Sequence, residues 1–393
     1  CQDVWYSRDL TACSECFGCV NLRGKQYYIF NKPYTKEAYF RELQRMDIGS
    51  YATHKETLRR TQVVWMNTPR KFMFGYRNIG VTGEWIANCK NVKDSFNVVG
   101  AENVRYAQIA PAGDTKDTYD YTIWGDHAEQ VYEVMETGWN ARKIKFSINC
   151  WPSVEELEYS INCHSSSYLF ACVGLRNKSY CIFNKQYSRD DYFALRDKII
   201  QHMNQMPYTD AQGRIYRYGE FFPPEFSPFA YNETIAQDFF PLTKETAQQK
   251  GYMWRDPEIR EYQPTINAAD LPDRIGDVPD SILKEIIKCA SCGKAYRIIQ
   301  MEFDFLRRMS LPLPRLCPDC RYRERTKHRN SPRFYHRRCT CAGSTSDNGV
   351  YRNTASHPPH STIEHCPNEF ETSYSPERKE IVYCEQCYNE EVV

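Results

Sequence analysis

Leucine, surplus charge and long apolar runs are all scarce in this 393-residue sequence. Leucine occurs 15 times against 29 tyrosines, and aromatic residues favour pleated, half-buried surfaces, so the composition predicts a mainly β protein with short helices. The 51 basic and 50 acidic residues exclude a globally cationic coat, so any nucleic-acid site must be a local patch. No segment approaches the roughly 18 apolar residues of a membrane helix, and we expect no membrane span.

Recognisable catalytic motifs are also missing. The sequence has no nucleophile elbow, no phosphate-binding glycine loop, no H-E-x-x-H motif and no repeated carboxylate pair. These absences favour a non-enzymatic role, although an enzyme remains an alternative because solenoid active sites are dispersed in sequence. The chain begins at Cys1, in mid-pattern and without an initiator Met, which predicts a fragment or a processed chain.

The eighteen cysteines form two populations. Nine lie at or before Cys181, and nine crowd into the segment from Cys289 to Cys387, mostly as close pairs. Disulfide frameworks are typical of small secreted domains, whereas this chain is long and its C-terminal pairs have the spacing of metal knuckles. We therefore expect reduced thiols, a cytoplasmic location and structural zinc, with disulfides as the alternative.

A 24-residue segment occurs twice. Residues 17–40 (FGCVNLRGKQYYIFNKPYTKEAYF) recur as residues 170–193 (FACVGLRNKSYCIFNKQYSRDDYF), with 14 identical positions. Each copy passes from an aromatic, β-like stretch into a helical one. Thr35 and Ser188 are predicted to cap these helices, and the second helix is predicted over about 189–205.

Between the two copies, short aromatic segments alternate with Asn, Gly or Ser roughly every 10–13 residues, a rhythm typical of repeats. Residues 145–150 (KFSINC) and 158–163 (EYSINC) agree at four of six positions. A stacked β-solenoid has this rhythm, because each rung leaves an apolar edge that only its neighbour can cover. We predict a duplicated β-solenoid-like region with helices capping its ends. An antiparallel β-sandwich is the alternative.

Cys13, Cys16 and Cys19 form a C-x-x-C-x-x-C run that could hold a metal. The duplication argues against a metal, because Cys19 has a cysteine equivalent in the second copy whereas Cys13 and Cys16 do not. Buried thiols that pack as small hydrophobes are the favoured interpretation.

The predicted units follow from these patterns and from a Pro-rich, aromatic stretch that lacks any period. They are residues 1–60 (first repeat copy with its helix), 61–206 (β-solenoid-like region ending in the second copy and helix), 207–280 (extended connector), 281–338 (first zinc ribbon with an Arg-rich segment) and 339–393 (second zinc ribbon). A catalytic role for Glu220 or Glu225 in the connector has no partner carboxylate to support it.

The first predicted zinc site has two knuckles, Cys289-x-x-Cys292 and Cys317-x-x-Cys320, separated by the segment 293–316. Four thiolates suit the closed tetrahedral geometry of a structural site, and Gly293 allows a tight turn after the first knuckle. No ligand position stays open, so the metal is predicted to replace a core and not to catalyse.

The second predicted zinc site has five thiols for four positions. Cys384 and Cys387 form a clear knuckle, Cys366 is the third ligand, and the fourth is Cys339 or Cys341.

A two-strand hairpin over residues 370–383 is predicted to bring the third ligand beside the knuckle. Residues 342–362 would form an inserted loop, and His357, His360 and His365 near it are interpreted as surface histidines.

The segment between the two sites is strongly basic. Between residues 315 and 338, eight Arg and one Lys stand against two acids. Tyr322, Phe334 and Tyr335 lie among them, and this mixture is typical of phosphate contacts with base stacking. The predicted nucleic-acid-binding residues are Arg315, Arg321, Arg323, Arg325, Lys327, Arg329, Arg333, Arg337 and Arg338.

The segments YMWRD (252–256), CASCGK (289–294), LPRLCPDCR (313–321) and IVYCEQCY (381–388) resemble a family of uncharacterised zinc-ribbon proteins predicted in candidate-phylum bacteria. The F-x-C-V-x-L-R-x-K-x-Y-x-I-F-N-K repeat resembles the same family, so the likeness covers most of the chain. The resemblance implies zinc ribbons and brings no catalytic residue.

In such proteins a compact C-x-x-C precedes a Thr-Ser-Tyr hairpin. By this resemblance Cys339 and Cys366 fall at the two positions of that motif. An insertion separates them here and leaves Cys341 unassigned.

Together these inferences favour a non-enzymatic, zinc-binding scaffold or adaptor that binds nucleic acid or a ribonucleoprotein through its Arg-rich segment. One alternative is a structural or protein-interaction role without nucleic acid, in which the faces of the solenoid form the contact surface. For the basic segment itself, the alternatives are a solvated helix whose arginines pair with the acidic tail near Glu390 and Glu391, or an acidic protein partner. Another is an enzyme whose residues are dispersed along a solenoid groove.

Overall fold

The computed structural model describes residues 1–256, 262–341 and 366–392. In this part of the chain the protein is mainly β, with eight short α-helices, as the composition predicts. The strands are β1 (Gln2–Trp5), β2 (Ser14–Phe17), β3 (Gln26–Ile29), β4 (Lys32–Pro33), β5 (Arg70–Lys71), β6 (Gly75–Tyr76), β7 (Gly83–Ala87), β8 (Lys90–Lys93), β9 (Ser95–Val99), β10 (Ala101–Arg105), β11 (Gln108–Ala110), β12 (Thr115–Thr122), β13 (Tyr132–Met135), β14 (Ala141–Ile148), β15 (Val154–Glu158), β16 (Ser167–Phe170), β17 (Ser179–Ile182), β18 (Lys185–Gln186), β19 (Tyr208–Thr209), β20 (Ile215–Tyr216), β21 (Ile266–Asn267), β22 (Ile287–Lys288), β23 (Ala295–Tyr296), β24 (Tyr335–Arg338), β25 (Glu369–Thr372) and β26 (Val382–Tyr383). The α-helices are α1 (Lys36–Met46), α2 (Tyr51–Met66), α3 (Arg189–Gln205), α4 (Ala236–Phe239), α5 (Lys244–Gln249), α6 (Gln300–Arg308), α7 (Pro318–Thr326) and α8 (Glu385–Val392), and short 3-10 helices cover Pro224–Phe226, Tyr231–Glu233, Ala268–Asp270, Ile275–Asp277 and Asp280–Lys284.

Two parallel ladders dominate the first half of the chain. In the first ladder β1, β2 and β3 pair in parallel, so that Gln2 lies beside Ser14 and Ser14 beside Gln26. The second ladder runs from β6 to β18 and is parallel except for its final pair, β17 with β18. This parallel pairing contradicts the alternative prediction of an antiparallel β-sandwich.

The spacing between paired residues is nearly constant in the second ladder. Gly83 of β7 lies beside Ser95 of β9, and Tyr119 of β12 lies beside Tyr132 of β13. The chain therefore advances by one strand spacing over each short stretch of nearly constant length, and adjacent rungs cover each other's backbone groups.

The buried residues of the second ladder recur at every third position, as at Ile86, Cys89 and Val92. The residues just before them, among them Asn88 and Asn91, have positive φ angles. Among non-glycine residues, Asn and Asp adopt this left-handed conformation most readily. The asparagines that recur in this part of the sequence therefore suit the positions where the backbone must take a positive φ. Apolar residues at every third position, from alanine to leucine and Tyr121 in size, then fill the core of the ladder.

The same three-residue spacing explains the C-x-x-C-x-x-C run of the first ladder. Cys13, Cys16 and Cys19 are all buried and pack together with apolar side chains. Burial raises the pKa of the Cys16 thiol to about 12, which favours a neutral thiol. The interpretation of these residues as buried thiols is confirmed.

Each ladder ends in the same way, as the duplication predicts. The N-cap side chains Thr35 and Ser188 accept hydrogen bonds from the backbone of the first helical turn at 3.2 Å. Helix α3 has the predicted bounds, 189–205. Tyr39 in α1 packs on one ladder end, and its repeat equivalent Tyr192 in α3 packs on the other. An amphipathic helix thus covers the last rung of each ladder.

Two predicted boundaries differ from the structure. Helix α2 spans the boundary placed between residues 60 and 61. The last residues of the predicted connector, 207–280, belong instead to the unit that contains the first cysteine cluster. Strand β21 pairs with β22, and Leu271 and Val278 are part of the same apolar core as Phe303.

The remainder of the connector packs along the second ladder through aromatic rings. The Tyr218 hydroxyl donates to the buried carboxylate of Glu158 at 2.9 Å, and the Tyr159 hydroxyl donates to the carbonyl of Glu220 at 3.1 Å. The ring of Phe222 contacts that of Tyr159.

The hairpin predicted over residues 370–383 is wrong. Strand β25 pairs antiparallel with β24, and β26 pairs in parallel with β5, where Val382 lies beside Arg70. The C-terminal tail, residues 366–392, therefore forms its strand hydrogen bonds with two strands that are distant in sequence. The pairing of β25 with β24 crosses the domain boundary predicted at 338/339.

Among the described residues, every helix is too short or too polar to serve as a membrane span.

The core of the ladder makes a stability prediction. Leu157 is fully buried between neighbouring rungs, so Leu157→Ala should lower the free energy of unfolding by about 2–5 kcal/mol through lost contacts and a cavity. Urea denaturation followed by circular dichroism measures the change. Leu58→Ala, at an exposed position of α2, is the matched control and should change stability little. Equal losses in the two variants would contradict the assigned core.

Candidate functional site

The first predicted cysteine set forms one cluster. The sulfurs of Cys289, Cys292, Cys317 and Cys320 all lie within 4.8 Å of one another, so they could hold a metal ion. The first pair lies in the turn between β22 and β23, and the second pair lies at the start of α7. The predicted turn is present, because Gly293 has φ +72°.

The electrostatics favour a thiolate at one cysteine of this cluster, Cys289, whereas burial raises the pKa values of Cys317 and Cys320. Burial opposes ionisation of Cys289, but backbone N–H groups of Cys292, Cys317 and Ser291 outweigh it and lower its pKa to about 6. One of these, the amide of Cys317, donates to the Cys289 sulfur at 3.2 Å. The thiolate is the form that binds metals.

The first cluster has an apolar core around it, which the sequence-based prediction of a metal in place of a core did not include. Ile287, Ile298 and Phe303 are buried beside the cysteines, and so is Leu313. The cluster therefore forms the edge of a small core and does not replace it.

The second cluster gathers all five candidate thiols. Cys339, Cys341, Cys366 and Cys387 have sulfurs within 4.8 Å of one another and could hold a second metal ion. Cys384 is also adjacent, because its sulfur lies 3.8 Å from that of Cys366 and its amide donates to the Cys339 sulfur at 3.2 Å.

This grouping differs from the predicted ligand set in one respect. Both Cys339 and Cys341 belong to the group of four, whereas the sequence assigned only one of them and placed Cys384 in the site. The structure thus keeps five thiols for four positions. The predicted inserted loop and its three histidines, His357, His360 and His365, lie outside the described residues.

Four residues of the predicted basic surface are exposed cations. Arg323, Arg325, Arg329 and Arg333 are exposed, and none has a carboxylate partner in the part of the chain described. The guanidinium of Arg329 lies 3.9 Å from the ring centroid of Phe239, and those of Arg325 and Arg333 also lie over aromatic rings. Stacking of this kind orders the arginines without neutralising their charge.

The other basic residues of the segment have internal partners. Arg321 pairs with Glu302 at 2.5 Å, and Lys327 pairs with Glu324 at 2.5 Å. Arg338 has a carboxylate partner at 2.8 Å, Glu369.

Arg337 is half-buried, and its guanidinium donates to the carbonyl of Ser375 at 3.4 Å. The three ion pairs reduce the charge that the segment offers to a ligand, whereas the carbonyl contact orients Arg337 and leaves its charge in place.

Arg315 is a correction. Its side chain is buried and donates to the carbonyls of Leu271 and Pro272 at 2.8 Å, while the ring of Tyr51 covers its guanidinium. The residue therefore joins the first cysteine module to α2 and is not available to a phosphate.

The aromatic residues of the segment are also partly engaged. The ring of Phe334 stacks on Phe96 with centroids 4.9 Å apart, and the hydroxyl of Tyr322 donates to Asp238. The alternative in which the arginines pair with the acidic tail has no support in the described ranges, where none of their ion pairs uses Glu390 or Glu391.

Comparison of the chain with protein-family profiles, with curated proteins and with solved structures gave no match.

One titratable residue near these elements had no signal in the sequence. Glu84 in β7 is buried, accepts a hydrogen bond from the Phe74 amide at 3.0 Å and one from the Ser373 hydroxyl at 3.1 Å. Burial, partly offset by these bonds, raises its pKa to about 7. Because the tail residue Ser373 helps to cover it, local sequence does not reveal this environment.

Glu84 predicts a pH dependence of stability. Its folded pKa lies above the ordinary value of 4.5, so its contribution is complete below that value and is lost as the pH rises through 7. The pKa shift of Glu84 corresponds to about 3 kcal/mol of folding free energy that is lost between low and high pH. Glu84→Gln, which cannot ionise, should lose less stability than the wild type between pH 5 and pH 8 in urea denaturation. Glu136→Gln, at an exposed ladder position, is the control, and parallel pH profiles for wild type and Glu84→Gln would refute the assignment.

Proposed function

We propose that the protein is a non-enzymatic, zinc-stabilised β-scaffold that binds nucleic acid through its Arg-rich segment. The observation that carries the proposal is a set of four exposed arginines without carboxylate partners in the described ranges, in a segment that lies in the sequence between the two cysteine clusters. A surface charge that the protein does not neutralise favours a polyanionic partner.

Zinc is the metal that the two clusters favour. Their donor atoms are thiolate sulfurs alone, a soft set that selects zinc over magnesium, calcium or manganese. Four protein ligands fill a tetrahedral site and leave no position for substrate, which is the arrangement of structural zinc. We interpret the two cysteine clusters as zinc ribbons on this basis.

We further interpret the second ladder as a β-solenoid-like stack. Its support is the parallel register with its nearly constant step, together with bridges that repeat the same spacing outside the named strands, such as Glu129 with Arg142 and Ile148 with Ile161. A stack of this kind gives a rigid base on which a binding surface keeps its shape.

The chemistry of the exposed arginines suits phosphates. A guanidinium offers a fork of N–H donors that matches a phosphate and keeps its charge at any physiological pH. Each phosphate contact releases counterions, so binding through four arginines should weaken with added salt, with a slope of about −3 in log affinity against log salt concentration for a single strand.

The zinc proposal predicts two zinc ions per chain in protein purified without chelators. Cys320→Ala should reduce the content to one, because it removes a ligand from the first cluster only. Inductively coupled plasma mass spectrometry of gel-filtered protein measures the zinc content per chain. Cys89→Ala, which removes a buried ladder thiol outside both clusters, should retain two zinc ions. Metal-free wild-type protein with intact thiols would disprove the proposal.

The nucleic-acid proposal predicts a charge-specific loss of binding. The triple variant Arg323→Glu, Arg325→Glu, Arg333→Glu should bind a fluorescein-labelled 20-nucleotide polyuridine RNA at least tenfold more weakly in fluorescence anisotropy, because each reversal repels a phosphate. The control triple Arg41→Glu, Arg189→Glu, Arg308→Glu makes the same net change at exposed positions elsewhere and should bind nearly as wild type. The proposal fails if the two triples lose affinity equally, or if wild type does not bind.

A further inference from the structure

A large cleft lies where the basic segment meets the start of the second ladder. Its volume is about 1050 Å³, within reach of the size of known small-ligand pockets. It is lined by the first ladder, the end of α2, strands β5 to β7, residues 328–332 of the basic segment and the C-terminal tail. No cysteine of the described ranges lines it, although Tyr388, which packs against the second cysteine cluster, does.

The floor of the cleft is cationic. Five cationic side chains line it, and three of them have carboxylate partners: Arg8 with Asp9 at 3.2 Å, Arg70 with Glu380 at 4.0 Å and Lys71 with Glu385 at 2.6 Å. Arg23 and Arg329 have no carboxylate partner among the described residues. Burial first, and then the neighbouring charge of Arg70, lowers the pKa of Arg8 to about 10, although the carboxylates of Asp9 and Glu380 act in the opposite direction. The ε nitrogens of Arg8 and Arg70 are buried and have no hydrogen-bond partner in the described part of the chain. An anion placed in the cleft would accept hydrogen bonds from these unpartnered N–H groups and would offset the charge of Arg23.

One wall of the cleft is aromatic and open. Phe74, Tyr76 and Trp85 line it, and their side chains are 42%, 55% and 53% exposed. The rings of Phe74 and Trp85 lie with centroids 4.1 Å apart. Large aromatic side chains exposed together beside cationic ones form the kind of platform on which bases stack.

We propose that this cleft binds a nucleoside phosphate, with its base on the Trp85 platform and its phosphate toward Arg8, Arg23 and Arg70. The cleft is continuous with the basic segment through Arg329. Where the bound nucleotide is part of a nucleic-acid strand, this inference rests on the proposed function and specifies a binding site for it. A free nucleotide has the same chemistry, and the experiment separates these two sources.

An acidic peptide fits the cleft less well. It would pair with the cations but would leave the exposed faces of Phe74, Tyr76 and Trp85 without an aromatic ligand. A nucleotide occupies both walls at once, because its charge and its aromatic surface are joined in one molecule.

The test measures binding of two probes to the full chain by isothermal titration calorimetry, adenosine monophosphate and a ten-nucleotide oligoadenylate. Trp85→Ala and Arg23→Glu should each weaken binding at least tenfold. Trp139→Ala and Arg142→Glu are matched controls, because Trp139 is 49% exposed and has, like Trp85, a left-handed backbone, and neither residue lines the cleft. Both controls should stay within twofold of wild type, and zinc content and circular dichroism should be unchanged in all four variants.

The outcomes separate the sources and the proposals. Loss of both probes in Trp85→Ala and Arg23→Glu assigns the cleft to free nucleotides as well as strands, and loss of the oligoadenylate alone assigns it to a unit of a strand. If neither variant differs from its control, the cleft proposal is overturned, even where reversal of Arg323, Arg325 and Arg333 still weakens strand binding. If the cleft variants weaken binding while that reversal does not, the cleft stands and the Arg-segment function fails.

Discussion

The arrangement of the functional surface depends on the return of the C-terminal tail to the start of the second ladder. Strand β26 adds to β5 through the amides of Arg70 and Phe72, which donate to tail carbonyls at 2.8 and 2.9 Å. The hydroxyl of Thr372 donates to the Phe72 carbonyl at 2.6 Å, and that of Ser373 reaches Glu84. These bonds close one wall of the cleft and set the basic segment beside it.

The two cysteine clusters differ in how much apolar core surrounds them. The first belongs to a core that includes Ile287, Phe303 and Leu313, so apolar burial contributes to its stability. The buried core of the second consists of its five cysteines with only Ile381 and Tyr383 among the described residues. Five thiols and two further buried side chains bury too little apolar surface to offset the entropy of ordering this tail, so the proposed zinc ion would have the larger part in holding it. The tail that shapes the cleft is thus the part that we expect to be most sensitive to metal removal.

Local patterns predicted much of this structure, and long-range pairing accounts for most of what they missed. The repeat predicted two matching ladder ends with capped helices, and the C-x-x-C spacing predicted the first cluster, because both depend on residues close in sequence. The hairpin over 370–383 was wrong because β25 and β26 pair with strands far away. In the sequence Arg315 does not differ from the other basic residues of its segment. It is buried because Tyr51 and Leu271, which are distant in sequence, pack against its side chain. The three-residue spacing of buried positions was visible in the sequence, and it would have identified Cys13, Cys16 and Cys19 as ladder residues.

The most direct test of this account is hydrogen exchange at the amides of Arg70 and Phe72, measured before and after zinc is removed by a chelator. The account predicts slow exchange in the metal-loaded protein and a loss of protection at these two amides after removal, while ladder amides such as that of Leu157 stay protected. Equal protection of Arg70 and Phe72 with and without metal would contradict the claim that metal coordination in the tail holds the functional surface together.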